Sequence, residues 1–383
     1  MVCEESLNLL ALARSDNSIE VWNLSHSPYI ERTFVGTCGT VEDLAWFNKR
    51  LFSGGLQGSV IEHDLCSQTA KRFHPVTSGA CWCIAVEKNR KQLAAGTEDG
   101  YINIIDISDD DMVYNRLLDR QEGRILCLKW DSTGNQIVTG SVDTVRVWNV
   151  QTGHAIHRMN TGRAADNAPT IVWSLDVTKD LTIATGDSRG MLCLWDGKTG
   201  MSLTTFHSHK ADILSVCFDD TQQTVYCAGI DPLIVSFEKL KMRRGETKWA
   251  QGPHRSIHDH DVRCLNFCNG KLYSAGVDSY LAMSSFPPKL LLKFPPLLQP
   301  PTVSIADDML ILLRYPAHLE LWRLASCRDE TPVQLLRWQP PSEYHIKCAQ
   351  ISKDSKWLAC STLDRFRLYS IHYVCTSMRF IVI

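Results

Sequence analysis

Short stretches in which apolar and polar residues alternate recur along the whole chain, each preceded by small residues and a turn that carries Asp or Gly. Clear copies are Leu12–Leu24 and Gly96–Ile107, and two others end in Val145–Val150 and Met191–Asp196. Alternation with a period of two predicts β-strands that bury one face, and no long stretch has the period of a helix. We therefore predict an all-β protein.

The alternating stretches return about every 43 residues, at nine anchor positions. The anchors are Trp22, His63, Ile105, Trp148, Trp195, Phe237, Met283, Trp322 and Tyr369. A period of roughly 40–45 residues with a Trp-Asp-like pair at the end of a strand is typical of the WD40 β-propeller, in which each repeat forms one four-stranded blade. The sequence predicts that fold class.

Nine repeats exceed the about four to eight blades that usually close one ring. Six prolines fall between Pro287 and Pro301, and proline lacks the backbone N–H that a central strand needs. We predict a seven-bladed propeller over residues 1–286, an extended Pro-rich linker over 287–301, and the first blades of a second, truncated propeller over 302–383. The first propeller is expected to lack its N-terminal strands, because the chain opens on what reads as the third strand of a blade.

The composition of the chain narrows the possible functions and partners. The 383 residues are 44% hydrophobic and 21% charged, as in ordinary globular domains, and a net charge of −2 gives no general attraction to nucleic acid. The 15 cysteines are scattered, mostly in apolar strands, and a chain of this size does not need disulfides, so we expect reduced thiols in the cytosol or nucleus. No apolar stretch approaches the roughly 20 residues of a membrane span, and we expect no membrane partner.

Several residues are interpreted as structural. Asp143 and Asp278 occupy tight-turn positions, where a carboxylate accepts backbone N–H groups. His260 precedes an inner strand and is expected to bond to Asp278. The tryptophans predicted to fill blade cores, each with an indole N–H to satisfy, are Trp22, Trp148, Trp195 and Trp322.

Two motifs suggest chemistry but have simpler explanations. Gly186–Gly190 matches G-x-S-x-G, yet a strand follows it instead of the helix of a nucleophile elbow, which predicts a hairpin turn. His258, His260, Cys264 and Cys268 suggest zinc, but two Cys four residues apart in a strand have Cα atoms about 13 Å apart, too far to share one ion. We predict no catalytic residue, metal, cofactor or small-molecule substrate.

Two basic clusters are the candidate contacts for nucleic acid or a partner protein. The first falls in one connection between strands and comprises Lys239, Lys241, Arg243, Arg244 and Lys248. The second falls in another connection and comprises Arg116, Arg120 and Arg124. Clustered Lys and Arg bind phosphates without sequence preference, with an affinity that falls steeply with salt. A solvated loop or a site for an acidic protein partner fits the same pattern.

Several phrases outside the general WD40 pattern resemble the cirhin family, the tandem-propeller WD40 proteins of the small-subunit processome. They are Leu10–Asp16, Ile19–Leu24, Leu51–Leu56, Asp119–Gln121, His258–Arg263 and His318–Leu324. The resemblance implies a non-catalytic scaffold in the nucleus and nucleolus that supports pre-rRNA processing and small-subunit biogenesis, in a subcomplex linked to rRNA transcription. It implies other processome WD40 subunits as partners, with pre-rRNA and small nucleolar RNA bound directly or through them.

Two other functions compete with the scaffold. A propeller hydrolase needs carboxylates or metal ligands gathered at the ring axis, and the repeats supply no recurring set of them. A WD40 substrate receptor of a ubiquitin ligase typically carries Trp-Asp-x-Arg, whereas this chain has Trp195-Asp196-Gly197-Lys198 at that position. The receptor stays open as the alternative.

Overall fold

The computed structural model is built almost wholly from β-strands. It describes the chain except residues 26, 36–38, 109, 164–166, 242–246, 286–288, 297–301, 308, 316, 326–330, 341–345, 363–364, 375–376 and 383, and it describes only the backbone of the other residues after 371. The described residues form 36 strands and one short 3-10 helix (Glu5–Leu7), and the strands make nine four-stranded antiparallel sheets. The chain divides into two compact units, residues 1–63 with 70–296 and residues 64–69 with 297–383.

The first unit contains seven of the sheets, each made of four strands that follow one another along the chain. The first three sheets are β1 (Val2–Glu4), β2 (Leu9–Ala13), β3 (Ile19–Asn23), β4 (Tyr29–Phe34); β5 (Asp43–Phe47), β6 (Arg50–Gly54), β7 (Ser59–Asp64), β8 (Thr69–Pro75); and β9 (Cys81–Glu87), β10 (Gln92–Thr97), β11 (Ile102–Asp106), β12 (Val113–Leu117). The next two are β13 (Cys127–Trp130), β14 (Gln136–Gly140), β15 (Thr144–Asn149), β16 (Ala155–Asn160); and β17 (Val172–Val177), β18 (Thr182–Asp187), β19 (Met191–Asp196), β20 (Met201–His207). The last two are β21 (Ile213–Phe218), β22 (Thr224–Gly229), β23 (Ile234–Lys241), β24 (Thr247–Arg255); and β25 (Val262–Cys268), β26 (Lys271–Gly276), β27 (Leu281–Ser285), β28 (Leu290–Phe294).

The first strand of each of these sheets contacts the first strand of the next sheet, and β25 contacts β1, so the inner strands follow one another around a closed ring. Apolar side chains fill the space between neighbouring sheets, as where Leu10 and Trp22 of the first sheet pack with Tyr273 and Met283 of the last. Closure of this kind leaves only short protected strand edges. The fold is the WD40 β-propeller that the repeats predict.

The second unit contains two four-stranded sheets. They are β29 (Val303–Ile305), β30 (Leu310–Arg314), β31 (Leu319–Arg323), β32 (Val333–Trp338); and β33 (Cys348–Ile351), β34 (Trp357–Ser361), β35 (Phe366–Val374), β36 (Ser377–Val382). Leu312 and Leu321 of one sheet pack against Ile351 and Leu358 of the other in a shared core.

Two predicted features at the ends of the first unit differ in the structure. The first sheet has all four strands, since Leu9–Ala13 precedes β3 and pairs with it, and the short Val2–Glu4 pairs in turn with Leu9–Ala13. The predicted linker contains a strand, because Leu290–Phe294 has no proline and pairs with β27 as the outer strand of the seventh sheet. The first unit accordingly runs to Pro296 instead of residue 286.

The expectation that every cysteine is a free thiol is also corrected. Cys3 of β1 and Cys268 of β25 are 265 residues apart in sequence and form a disulfide, with Cα atoms 6.6 Å apart. Their strands are neighbours only because the ring closes, so the pair could not be recognised from the sequence. Among the other described cysteines, Cys66 and Cys348 are exposed, Cys264 is half-buried and the rest are buried free thiols. Burial raises the pKa of Cys81 and of Cys227 to about 12.

Candidate partner and nucleic-acid interface

The predicted blade tryptophans are anchored through their indole N–H groups, in two ways. Trp148 and Trp195, buried in the fourth and fifth sheets, donate Nε1–H to the hydroxyl oxygens of Thr139 (2.9 Å) and Thr185 (3.0 Å) on the adjacent strand. Trp22 donates instead to Glu20 Oε2 of its own strand at 3.0 Å.

Trp322 likewise donates to Glu320 Oε2 at 3.0 Å, and it is only partly buried. The structure thus places all four tryptophans on blade strands, each with its indole N–H bonded within its own blade.

Asp143 was predicted to accept backbone N–H groups of its own turn, but its partners lie in the next connection of the chain. It lies between β14 and β15 in the left-handed region, with a φ of 61°. Its carboxylate accepts the Thr170 N–H at 2.7 Å and the Arg163 guanidinium at 2.8 Å, both from the connection that leads to the fifth sheet. Asp143 therefore ties its hairpin to the next blade.

The histidine that pairs with Asp278 is His258, and the prediction of His260 was wrong by two residues. The buried His258 ring places Nδ1 2.9 Å from Asp278 Oδ2 and Nε2 2.8 Å from Ser274 Oγ. His260 is exposed. Both histidines precede the same strand, and sequence alone did not show which one faces the blade.

The basic connection of the sixth sheet is the hairpin between β23 and β24. Arg243 and Arg244 lie outside the described residues. Lys241 and Lys248 are exposed, whereas Lys239 is held at 3.6 Å from Asp180 Oδ2 and lies 5.9 Å from the centre of the Trp249 ring. We call Lys239, Lys241 and Lys248 with Lys179 the basic hairpin patch.

Lys179 joins this patch from the preceding blade, which the sequence did not indicate. It is exposed, its N–H donates to Gln222 Oε1 at 3.0 Å, and it is followed by Asp180, the partner of Lys239. Burial opposes ionisation of Asp180, but a hydrogen bond from Thr178 and the charge of Lys239 outweigh it and lower the pKa of that carboxyl. The ionised Asp180 fixes Lys239 and leaves the other three lysines exposed.

The second predicted cluster is engaged within the protein. Arg116, on β12, donates to the carbonyl oxygens of Val150 and Gln151 at 3.0 and 2.8 Å. Arg120 donates to Asp99 O at 3.0 Å, and Arg124 lies 3.6 Å from Glu98 Oε1.

Arg120 and Arg124 therefore contact the β10–β11 turn, while Arg116 contacts the turn after β15. Three arginines that each already bond to the protein make a weaker phosphate site than the basic hairpin patch.

Gly186–Gly190 forms the predicted hairpin turn, whereas Cys268 of the His and Cys motif is in a disulfide that the sequence did not predict. Gly186–Gly190 spans the turn from β18 to β19, where Asp187 Oδ1 accepts the Arg189 and Met191 N–H groups at 2.9 and 3.0 Å. Cys268 is bonded to Cys3 and lies on the same strand as Cys264. Within the described residues, no group of three or more His, Cys, Asp or Glu is placed to hold a metal ion. The described residues also contain no helix long and apolar enough to cross a bilayer.

Comparison with known proteins gives matches along nearly the whole chain. Residues 115–149 and 200–235 match the WD40 family, described as "WD domain, G-beta repeat". The chain is 31% identical to human "U3 small nucleolar RNA-associated protein 4 homolog" over 96% of its own length and 57% of that protein. It is 29% identical to "U3 small nucleolar RNA-associated protein 4" of Schizosaccharomyces pombe, over 95% of the chain and 53% of that protein.

The protein of the same name from Saccharomyces cerevisiae is 30% identical over 72% of the chain and 38% of its own length. The chain thus spans little more than half of the length of its human and fission-yeast relatives. It is a WD40 propeller protein similar, over almost all of its residues, to U3 small nucleolar RNA-associated protein 4.

Proposed function

We propose that the chain is a non-catalytic scaffold of the nucleolar small-subunit processome, of the cirhin type, which supports pre-rRNA processing and small-subunit biogenesis. The observation that carries the proposal is the similarity to U3 small nucleolar RNA-associated protein 4 over 96% of the chain in the human relative. That similarity covers both units, whereas the WD40 family match alone covers two short segments. The relative's name associates it with U3 small nucleolar RNA, and we extend that association to this chain.

A rigid ring is suited to this role because its connections can contact several partners at once without changing shape. We infer that other WD40 subunits of the processome bind at these connections and that the protein resides in the nucleolus. A link to rRNA transcription follows from the same resemblance.

We further propose that direct RNA contact, where it occurs, uses the basic hairpin patch. Lys179, Lys241 and Lys248 are exposed and have no acidic side chain in a salt bridge with them, within the part of the chain that the structure describes. Arg243 and Arg244 extend the positive charge in sequence. Phosphate groups bind such patches with a strong salt dependence.

Charge reversal tests this contact. Lys179→Glu with Lys241→Glu and Lys248→Glu should reduce ultraviolet crosslinking of the protein to pre-rRNA by roughly tenfold, with the thermal midpoint unchanged. A matched control reverses the same number of exposed charges outside the basic hairpin patch, with Lys49→Glu, Arg158→Glu and Lys210→Glu. Equal crosslinking of both variants would show that the basic hairpin patch does not contact RNA.

The ubiquitin-ligase receptor stays a prediction. The Trp195–Lys198 segment makes an ordinary turn, in which Asp196 Oδ1 accepts the Lys198 N–H at 3.0 Å. No described contact favours that function over the scaffold.

A further inference from the structure

Two arginines stand directly opposite each other on the outer strands of the fourth sheet. In the register of β15 and β16, Arg146 pairs with Arg158. Opposite residues of an antiparallel pair place their side chains on the same face, and like charges at such positions are destabilising. Burial and the charge of Arg158 lower the pKa of the Arg146 guanidinium, in agreement with this placement. We call Arg146 and Arg158 the arginine pair.

The arginine pair has no acidic partner in the described part of the chain. Neither Arg146 nor Arg158 forms a hydrogen bond or salt bridge with another described residue, and Nε of Arg146 is buried without an acceptor. The exposed Glu122 acts on Arg146 through its charge, without a salt bridge between them. A buried donor that lacks an acceptor is costly, and an anion bound at the pair would remove that cost.

The same position in other blades carries the opposite charge. Two residues before the blade tryptophan stand Glu20 in β3 and Glu320 in β31, and Glu320 is opposite Arg337 of the outer strand β32. In β15 this position is Arg146, whose guanidinium lies 5.8 Å from the centre of the Trp148 ring. The charge that Arg337 offsets in β31 is thus replaced in the fourth sheet by two positive charges side by side.

The arginine pair lies on the flank of the ring. Trp148, on the same face as Arg146, packs against Ile104 and Leu118 of the third sheet, so the pair faces the space between the third and fourth sheets. Both arginines stand near the middle of their strands, in the outer half of the sheet. Arg158 is exposed and Arg146 is half-buried, so that a ligand can reach both from solvent.

A single phosphate monoester matches this arrangement in charge and in hydrogen bonding. Guanidinium groups bind phosphate through two parallel N–H···O bonds, and an arginine stacked on an aromatic ring is held in orientation for them. The monoester carries a charge of about −1.5 to −2 at neutral pH, which two guanidiniums balance. RNA carries one charge per phosphate and needs a row of cations, whereas the next charge beside Arg146 is the carboxylate of Glu122.

We propose that the arginine pair binds a phosphoserine or phosphothreonine side chain of a partner protein. Both guanidiniums donate to the phosphate oxygens, and the 44% exposed Ile156 of β16 contacts an apolar residue of the same segment. A protein segment fits better than a small phosphorylated molecule, because sites for small molecules are concave and this one lies on an exposed flank. The proposal does not depend on the proposed function, and the site is distinct from the basic hairpin patch of the sixth sheet.

The probe is a library of 11-residue peptides with phosphoserine at the centre and random flanking residues, selected on the full chain. Fluorescence anisotropy then gives the affinity of each selected peptide and of its serine counterpart, which should bind at least tenfold more weakly. Arg158→Ala, at an exposed residue, should weaken phosphopeptide binding by about tenfold with an unchanged thermal midpoint. Arg158→Lys keeps the charge but not the paired N–H groups, so its affinity should be intermediate.

Two further variants separate phosphate recognition from a general effect on the fold. Glu122→Gln removes the neighbouring negative charge and should strengthen binding severalfold, a change that loss of structure cannot produce. Arg337→Ala, at an exposed arginine on the outer strand β32, is the matched control and should leave the affinity unchanged.

The proposal is overturned if no phosphorylated peptide is selected over its serine counterpart, or if Arg158→Ala binds the selected peptides as tightly as the unmodified chain. It is also overturned if oligouridine binds the chain and loses affinity in the Arg158→Ala variant, since the arginine pair then contacts RNA.

Discussion

His258 shows how a single side chain stabilises a blade of this ring. Its buried ring bonds to Asp278 on one side and to Ser274 on the other, whereas His260 is exposed. Removing one partner of a buried hydrogen-bond network leaves the others unsatisfied, at a cost of about 1–3 kcal/mol. His258→Ala should therefore lower the free energy of unfolding by that amount in urea denaturation. His260→Ala, two residues away, should be neutral, and equal effects of the two changes would contradict the assignment.

His63 gives the stability of the first unit a dependence on pH. Its ring is buried, with Nε2 2.7 Å from Ser53 Oγ and Nδ1 without a hydrogen-bond partner among the described residues. Burial lowers the pKa of His63 from its ordinary 6.5 to about 4, and the nearby Glu62 opposes this only in part. Between pH 6.5 and pH 4, His63 therefore binds a proton more readily in the unfolded chain than in the folded one. The contribution of neutral His63 to the free energy of unfolding is complete above pH 6.5 and is lost as the pH falls towards 4.

His63→Gln removes the titrating group and keeps a side chain that can bond to Ser53. The free energy of unfolding of the unmodified chain, measured relative to that of this variant, should fall by about 2 kcal/mol from pH 7 to pH 5. Urea midpoints measured across this range test it. A difference that stays constant with pH would show that His63 is not buried in its neutral form.

The strand β28 illustrates what the pattern of a whole element can and cannot predict. Alternation and turn residues predicted the recurring strands, such as β15 and β19, because burial of one face imposes a period of two. Leu290–Phe294 was assigned to a linker since prolines stand on both sides of it, yet its own residues pair with β27. The short β1 was also missed, because three residues are too few to show a period.

Amide hydrogen exchange tests the assignment of β28. Peptides that cover residues 289–296 should be protected to an extent similar to those covering β12, the outer strand of the third sheet. Outer strands bond on one side only, so protection should be partial in both. Exchange at the rate of an unstructured peptide would show that residues 290–294 are a linker.

The candidate sites were only partly predictable, because closeness in sequence did not show which side chains meet in the fold. Clustered basic residues in sequence marked the β23–β24 hairpin, but Lys179 reaches the same patch from another blade through Asp180. Arg116, Arg120 and Arg124 are close in sequence, yet their partners lie in two different turns.

Ring closure fixes the relative positions of the connections of the first unit. Contact between β1 and β25, with the Cys3–Cys268 disulfide between them, joins the ends of the first unit. We propose that residues 302–383, whose two sheets share one core, belong to a second propeller. A rigid ring whose connections lie at both ends of its blades presents separate surfaces to different partners, as a scaffold requires.

Recovery of U3 small nucleolar RNA with the tagged chain, purified from nuclear extract and measured by sequencing of bound RNA, tests the scaffold most directly. We predict strong enrichment of U3 small nucleolar RNA and early pre-rRNA over an unrelated WD40 propeller tagged in the same way. Enrichment no greater than that of the control propeller would contradict the assignment to the processome.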